Sequence, residues 1–463
     1  MRKPKMRQKL IMLASGMLIS LSAHALDLHG LPAQSLALWV APVASADVQT
    51  AYRADVPVNP ASTMKLLTSW VALERLGPDF TWQTRLMASA PVKDGVLQGD
   101  LWWVGEGDPR FYASRLSELL TGLRQRGIVG VAGRLMQDRT AYSRLSQADG
   151  FDPDGGESFM APPDPLLTNL NVVWLRFFND AQGPRVVLDP PLAGVHVQAS
   201  LTRGGDEACP DVRRYVRMAV TGSDIRVSGA LPPACDGRMA YLQPLAPETF
   251  AAAAFRGLWQ AQDGRGLQGD GSGKVPEDAR VLAEVSSEPL ARILPDMNKF
   301  SSNPMARSLF LTLGRQSAQR GDTVADAERA VRQTLAAHQI PDQGLVLENG
   351  AGLSRVERLP VSLLGEVLRT AARGPYACEL MASLPLAGQM GTLRRRFVDL
   401  GPALRLKTGT LKDVVALAGY WQRRDGQRLV IVAVVNHPEA ASLKPSLDAV
   451  VRDAIRQFEP GGI

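Results

Sequence analysis

The sequence predicts an α/β (α+β) fold: an antiparallel sheet flanked by helices, built from both ends of the chain, with a β-rich stretch inserted between them. Three observations predict it. Ser35 to Val40 and Thr50 to Arg53 near the start, and Arg405 to Thr410, Val414 to Trp421 and Arg428 to Asn436 near the end, are apolar runs of strand length. Helices occupy the second half and close it, with apolar residues at helical spacing from Leu443 to Phe458. From about Thr81 to Arg280, short strand-like runs alternate with Gly, Pro and Asp.

At 463 residues the chain exceeds one ordinary core. Its first 25 residues stand apart. Arg2, Lys3, Lys5, Arg7 and Lys9 precede an apolar run from Leu10 to Leu21, and Ala23-His24-Ala25 reads as a small-x-small cleavage site. That run is short for a membrane span, so an exported, periplasmic protein is expected. These residues carry five of the six net positive charges and no acid, leaving about +1 on the remainder. No basic tract interleaved with aromatics remains, which removes the main support for nucleic-acid binding.

Pro57 and Pro60 interrupt the chain after the first two strands. A helix can then begin at Ser62, with Met64, Leu66, Leu67, Val71 and Leu73 as its apolar face. In the middle, Gly99 to Val104, Ile128 to Leu135, Val172 to Phe177 and Val186 to Leu188 read as strands, and Ala113 to Gln125 as a helix. Residues 263–276, rich in Gly and Asp, read as an exposed linker. Near the end, Asp425-Gly426 is a hairpin turn. The expected organisation is a leader at 1–25, an outer domain from 26–80 with 281–463, and an insertion at 81–280. The insertion divides into about 81–100 with 165–280, and 101–164.

Export permits disulfides. Cys209 and Cys235 bracket a hairpin-like stretch (Val212 to Val216, then Ile225 to Val227), so a bridge is expected, two buried thiols being the alternative. Cys378 has no neighbouring His or Cys and reads as a core residue.

The chemistry is carried by three patches. Ser62-Thr63-Met64-Lys65 is the chain's S-x-x-K, and on a helix positions i and i+3 share a face. A serine hydroxyl needs a base within reach, and lysine serves only if burial or another cation lowers its pKa. Lys407, in Lys407-Thr408-Gly409-Thr410, is a candidate for that second cation; Ser301-Ser302-Asn303 is the third patch. A helix start also leaves backbone N–H groups free for an oxyanion. The competing Ser-His-Asp arrangement finds no G-x-S-x-G, and His29, His196, His338 and His437 lie beside no candidate serine. No metal-ligand spacing stands out, Gly269 to Lys274 fails the phosphate-loop pattern, and no cofactor is expected.

Together the three motifs, in this order, resemble the penicillin-binding/β-lactamase-like transpeptidase fold. More closely, the chain resembles the low-molecular-mass (class C) penicillin-binding proteins of the D-alanyl-D-alanine carboxypeptidase/endopeptidase family with large inserted domains. The resemblance rests on Gly99-Asp100-Leu101, Gly107-Asp108-Pro109, Gly350-Ala351-Gly352-Leu353-Ser354-Arg355, Leu384 to Gly388, Gly391-Thr392-Leu393 and Leu406 to Leu411. About 240 residues separate Ser62 from Ser301, more than a class A β-lactamase accommodates.

The resemblance implies Ser62 as acylated nucleophile, Lys65 as general base and Ser301 as proton relay to the leaving amine. It implies Asn303 on the substrate's backbone amide, and Lys407, Thr408 and Thr410 on its terminal carboxylate. Gly409 would let the substrate lie close against the sheet edge, and the Ser62 and Thr410 amides would form the oxyanion hole. Peptidoglycan stem peptides ending in D-Ala-D-Ala would be the substrates, and β-lactams covalent inhibitors. The chain departs from the family at Ser302, at Asn349 and Ala351, and at Arg139, none of which removes a catalytic group. A β-lactamase or esterase on the same scaffold and a non-catalytic peptidoglycan-binding protein are the rival readings.

Overall fold

The computed structural model describes residues 26–146, 148–151, 158–319 and 321–459. The leader reading of 1–25 lies outside the described residues.

A five-stranded sheet joins the two ends of the chain in the order Leu404–Leu411, Val414–Gln422, Arg428–Asn436, Leu36–Pro42, Thr50–Tyr52. Every neighbouring pair is antiparallel, and Leu36 to Pro42 lies along Val435 to Leu429. Its inner strands are apolar throughout because both faces are covered. Side chains alternate between the faces. Ala37, Trp39 and Ala41, with Val430, Val432 and Val434, face a core shared with the helices Met64–Leu76, Leu290–Lys299, Asn303–Gln316, Thr323–Ala337 and Val361–Arg373. Leu36, Leu38 and Val40, with Ile431, Ala433 and Val435, face the helix Lys444–Gln457. The turn at Asp425-Gly426 is as expected: Gly426 has φ +86°, and the Asp425 carboxylate accepts from the Gln427 N–H at 2.9 Å.

The middle of the chain has its own apolar core. One five-stranded sheet runs Asp270–Ser272, Leu135–Asp138, Leu101–Gly105, Gln83–Ala88, Arg280–Ser286; a smaller one runs Arg265–Gly266, Gly130–Val131, Val96–Leu97, Val92–Lys93. Two three-stranded sheets follow, Gly183–Asp189, Val173–Asp180, Met239–Leu242 and His196–Arg203, Asp224–Leu231, Val216–Thr221. The helix Ala113–Gln125 forms where its apolar spacing predicts, burying Leu116, Leu119, Leu120 and Leu123.

Four expectations need correction. Residues 263–276 are largely exposed but are no linker: Arg265–Gly266 and Asp270–Ser272 pair in parallel with Gly130–Val131 and Leu135–Asp138. Two- and three-residue edge strands carry no readable periodicity. The division of the insertion between 100 and 101 separates strands that share one sheet, since Leu101–Gly105 pairs with Gln83–Ala88. Val212–Arg214 is a 3₁₀ turn that Asp211 caps at the Arg213 N–H, and the hairpin is Val216–Thr221 with Asp224–Leu231. Cys378 is exposed, because it sits on the outward face of the six-residue helix Ala377–Ala382, whose buried residue is Leu380. Cys209 and Cys235 are both buried and joined as a disulfide.

Candidate active site

Ser62 lies in the 3₁₀ turn Ala61–Thr63 that feeds the helix Met64–Leu76. Asparagines hold this turn. The Asn59 carboxamide accepts from the Ala61 N–H at 2.9 Å and donates to the Ser354 carbonyl at 2.9 Å. Asn436, at the end of its strand, grips the Asn59 backbone at both N–H and C=O, at 2.8 and 3.0 Å. These bonds stabilise Ala61 at φ +44°, a conformation a non-glycine residue adopts only when its surroundings hold it there.

Lys65 is fully buried one turn after Ser62. Its Nζ lies 3.0 Å from Ser62 Oγ and donates to Asn303 Oδ1 and to the Ala351 carbonyl, both at 2.6 Å. A neutral amine has two N–H bonds and one lone pair. Two carbonyl acceptors therefore consume its hydrogens and leave the lone pair for the serine hydroxyl. Burial drives the Lys65 ammonium well below the usual lysine range, the Lys407 charge pushes the same way, and the Glu357 carboxylate partly opposes both.

Ser301 follows the helix Leu290–Lys299 in a left-handed conformation, φ +58°. Ser302 caps the helix Asn303–Gln316, accepting from the Met305 N–H, with Pro304 in its first turn. An N-cap position suits Ser as well as Asp, which accounts for that departure. Lys407, also fully buried, donates to Ser301 Oγ and to the Thr408 carbonyl, each at 2.8 Å. Burial brings its pKa down to about 7. Thr408 Oγ1 donates to Thr392 Oγ1 at 2.8 Å, and Thr410 is exposed. Gly409 acts differently from the expectation. A Cβ there would come within 2.9 Å of the Pro60 carbonyl and 3.1 Å of the Ala61 Cβ. It thus gives room to the turn that carries Ser62, and its missing side chain faces the protein interior.

Ser62, Ser301, Asn303 and Thr410 line one cleft of about 330 Å³, whose rim includes Phe159 and Arg355. The structure thus gathers the three motifs, with Lys65 and Lys407 beneath them. A larger cavity of about 900 Å³ lies in the inserted region, between Tyr142 and Lys274, but contains none of these groups. Asn349 and Ala351 are accommodated: Asn349 Oδ1 accepts from the Ala351 N–H at 3.0 Å, and its amide donates to the Leu353 carbonyl at 2.7 Å. Arg139 forms an ion pair with Asp164 at 2.7 Å.

Sequence reasoning missed Glu357. This buried carboxylate accepts from the N–H groups of Glu348, Asn349, Gly350 and Gly352 at 2.8–3.1 Å, so the loop that offers the Ala351 carbonyl to Lys65 is wrapped around it. No motif announces a carboxylate that binds only backbone. Glu357→Gln puts an N–H₂ against one of these donors. It is expected to cost about 2–3 kcal/mol in a urea melt and to slow acylation by loosening the loop. Unchanged stability and rate would contradict that role. Spacing also missed Asp27, His29 and Asp453, whose ligand atoms gather within 4.8 Å of one another but which share no residue with the cleft.

A serine hydroxyl facing a buried lysine, with a second lysine bonded to a second serine, can perform acyl transfer without histidine or metal. The class of protein these groups fit is the serine hydrolase. The chain belongs to the D-Ala-D-Ala carboxypeptidase 3 (S13) family, whose profile matches residues 17–457. It is a serine-type D-Ala-D-Ala carboxypeptidase. It is 30% identical over 416 residues to the D-alanyl-D-alanine carboxypeptidase of Actinomadura sp. (strain R39), covering 86% of this chain and 76% of that protein. It is 28% identical to D-alanyl-D-alanine carboxypeptidase DacB of Haemophilus influenzae, covering 86% and 84%. The fold is that of penicillin binding protein 4 from Haemophilus influenzae, with TM-score 0.74, 23% identity and 92% and 97% of the two chains covered.

Proposed function

We propose that Ser62 is the nucleophile of this carboxypeptidase and Lys65 its general base, acting on peptidoglycan stem peptides that end in D-Ala-D-Ala. The observation that carries the reading is the Lys65 amine held by two carbonyls with its remaining valence toward Ser62 Oγ. Neutral Lys65 takes the hydroxyl proton as Ser62 Oγ bonds to the penultimate D-alanine carbonyl. The negative charge on that oxygen is received by the Ser62 and Thr410 N–H groups. Ser301, held by Lys407, gives its hydroxyl proton to the departing nitrogen and is reprotonated by the Lys65 ammonium, which becomes neutral again. The C–N bond breaks, and D-alanine leaves. Water, deprotonated by Lys65, then hydrolyses the ester. The Lys407 ammonium with Thr408 and Thr410 binds the terminal carboxylate, and Asn303 the substrate backbone.

The same cycle cuts a cross-link when the departing nitrogen belongs to a neighbouring stem peptide. A β-lactam acylates Ser62, but its leaving nitrogen stays tethered, so the ester persists. The boundary expected at 280 falls inside the strand Arg280–Ser286, which pairs with Gln83–Ala88 and buries Ala283 and Val285 in the inserted core, so we assign 26–80 with about 287–463 to the catalytic unit and about 81–286 to an insertion. We assign the enzyme to the periplasm on the leader at 1–25. Among the described residues no helix is long and apolar enough to cross a membrane.

The test is D-alanine release from a pentapeptide, with mass mapping of the penicillin adduct. The adduct is expected on the peptide containing Ser62. An adduct elsewhere sinks the assignment, and rapid turnover of a chromogenic cephalosporin would favour a β-lactamase.

A further inference from the structure

Beside the catalytic cleft is a second cavity of about 260 Å³, between the inserted sheet and the Ser301 turn. Phe159, Trp174, Tyr241 and Phe300 wall it, and Ser301 and Asn303 stand at its edge. Phe159, Ser301 and Asn303 line both cavities, so the two adjoin. Trp174 and Tyr241 face each other across neighbouring strands, their rings edge to face at 5.6 Å. The exposed guanidinium of Arg213 lies 4.5 Å from the Tyr241 ring centre. Phe300 is 69% exposed and Phe159 39%, and two such rings beside one opening leave apolar surface uncovered.

We propose that this cavity binds the leaving half of a cross-linked substrate, receiving the aliphatic chain of the diamino acid whose nitrogen departs. The inference rests on the roles given above to Ser62 and Ser301. The departing nitrogen takes its proton at Ser301, so whatever that nitrogen carries must lie against the Ser301 turn. Terminal D-alanine carries a methyl and a carboxylate and needs no further room. A cross-linking diamino acid carries a run of methylenes, a carboxyl group and a second peptide. The aromatic walls match the methylenes, and Arg213, stacked on the Tyr241 ring, offers a cation to a carboxylate. The volume lies below the roughly 300–1,000 Å³ of a site that encloses a whole ligand, as suits one segment of a longer substrate. Phe159 separates this segment from the acyl half in the cleft.

The test compares full-length wild type with Phe300→Ala and Trp174→Ala on three substrates: a pentapeptide ending in D-Ala-D-Ala, a cross-linked muropeptide dimer and a fluorescent penicillin. Phe300 is exposed, so its variant retains the fold if loss of Trp174 disturbs the sheet. Expected is a loss of about tenfold or more in kcat/KM for the dimer, chiefly through KM. D-alanine release and penicillin acylation are expected to stay within about twofold. Equal losses on all substrates, unchanged dimer cleavage in Phe300→Ala, or a wild type that releases D-alanine but leaves the dimer intact each overturn the inference alone. A wild type that neither releases D-alanine nor acylates at Ser62 overturns the underlying reading as well.

Discussion

Lys65→Ala is expected to slow acylation by fluorescent penicillin by about 10³–10⁴-fold, approaching the complete loss expected of Ser62→Ala. The proposed general base disappears, and Asn303 Oδ1 and the Ala351 carbonyl lose the donor both share. Stopped-flow labelling checks it; a rate within tenfold of wild type would remove Lys65 from the mechanism. The wild-type rate carries a sign as well. A lysine base acts only when neutral, so with Lys65 in that role acylation is expected to rise with pH through its depressed pKa and to be lost as the ammonium forms on the acid side.

Lys407→Gln is the second large effect, with an expected loss of about 10²–10³ in kcat/KM for D-alanine release. It removes the cation proposed to hold the substrate carboxylate, and the donor from Ser301. Its pH signature separates it from simple damage. With Lys65 neutral, Lys407 keeps its proton only up to about 7, so wild-type kcat/KM falls on the alkaline side near there. A bound carboxylate favours the ammonium, so the same limb lies higher in kcat. In Lys407→Gln the alkaline limb disappears. The Lys407 charge also stops lowering Lys65, so the acid limb moves to higher pH. Lys407→Arg keeps the cation and should move the alkaline limb beyond the measurable range. A Gln variant with both limbs unmoved would contradict the assignment.

What the sequence made legible followed from period and spacing. The inner strands of the central sheet are apolar runs bounded by turn residues, and the terminal helix repeats its apolar positions at helical spacing. Ser62 and Lys65 are one helical turn apart, a local fact, and the motif order supplied Ser301 and Lys407. What stayed hidden depends on backbone contacts that no periodicity or motif marks, some of them local and some long-range. Glu357 binds four N–H groups of a loop, Asn436 grips Asn59 across 377 positions, and Gly409 faces a turn far away in sequence. Parallel edge strands of two or three residues leave no local pattern, which is why 263–276 reads as a linker.

The strand Leu36–Pro42 sits between Thr50–Tyr52 and Arg428–Asn436, and Asn436 also clamps the turn that carries Ser62. The order of synthesis therefore matters. Until Arg428–Asn436 has emerged, Leu36–Pro42 has no partner along one edge and the serine turn lacks its clamp. Contacts of such sequence separation form late and slowly, whereas the inserted region, with its own core, needs no residue from either end to begin. A nascent or C-terminally clipped chain would thus lack a finished nucleophile. The carboxypeptidase has a finished serine turn only once its last strand is laid down.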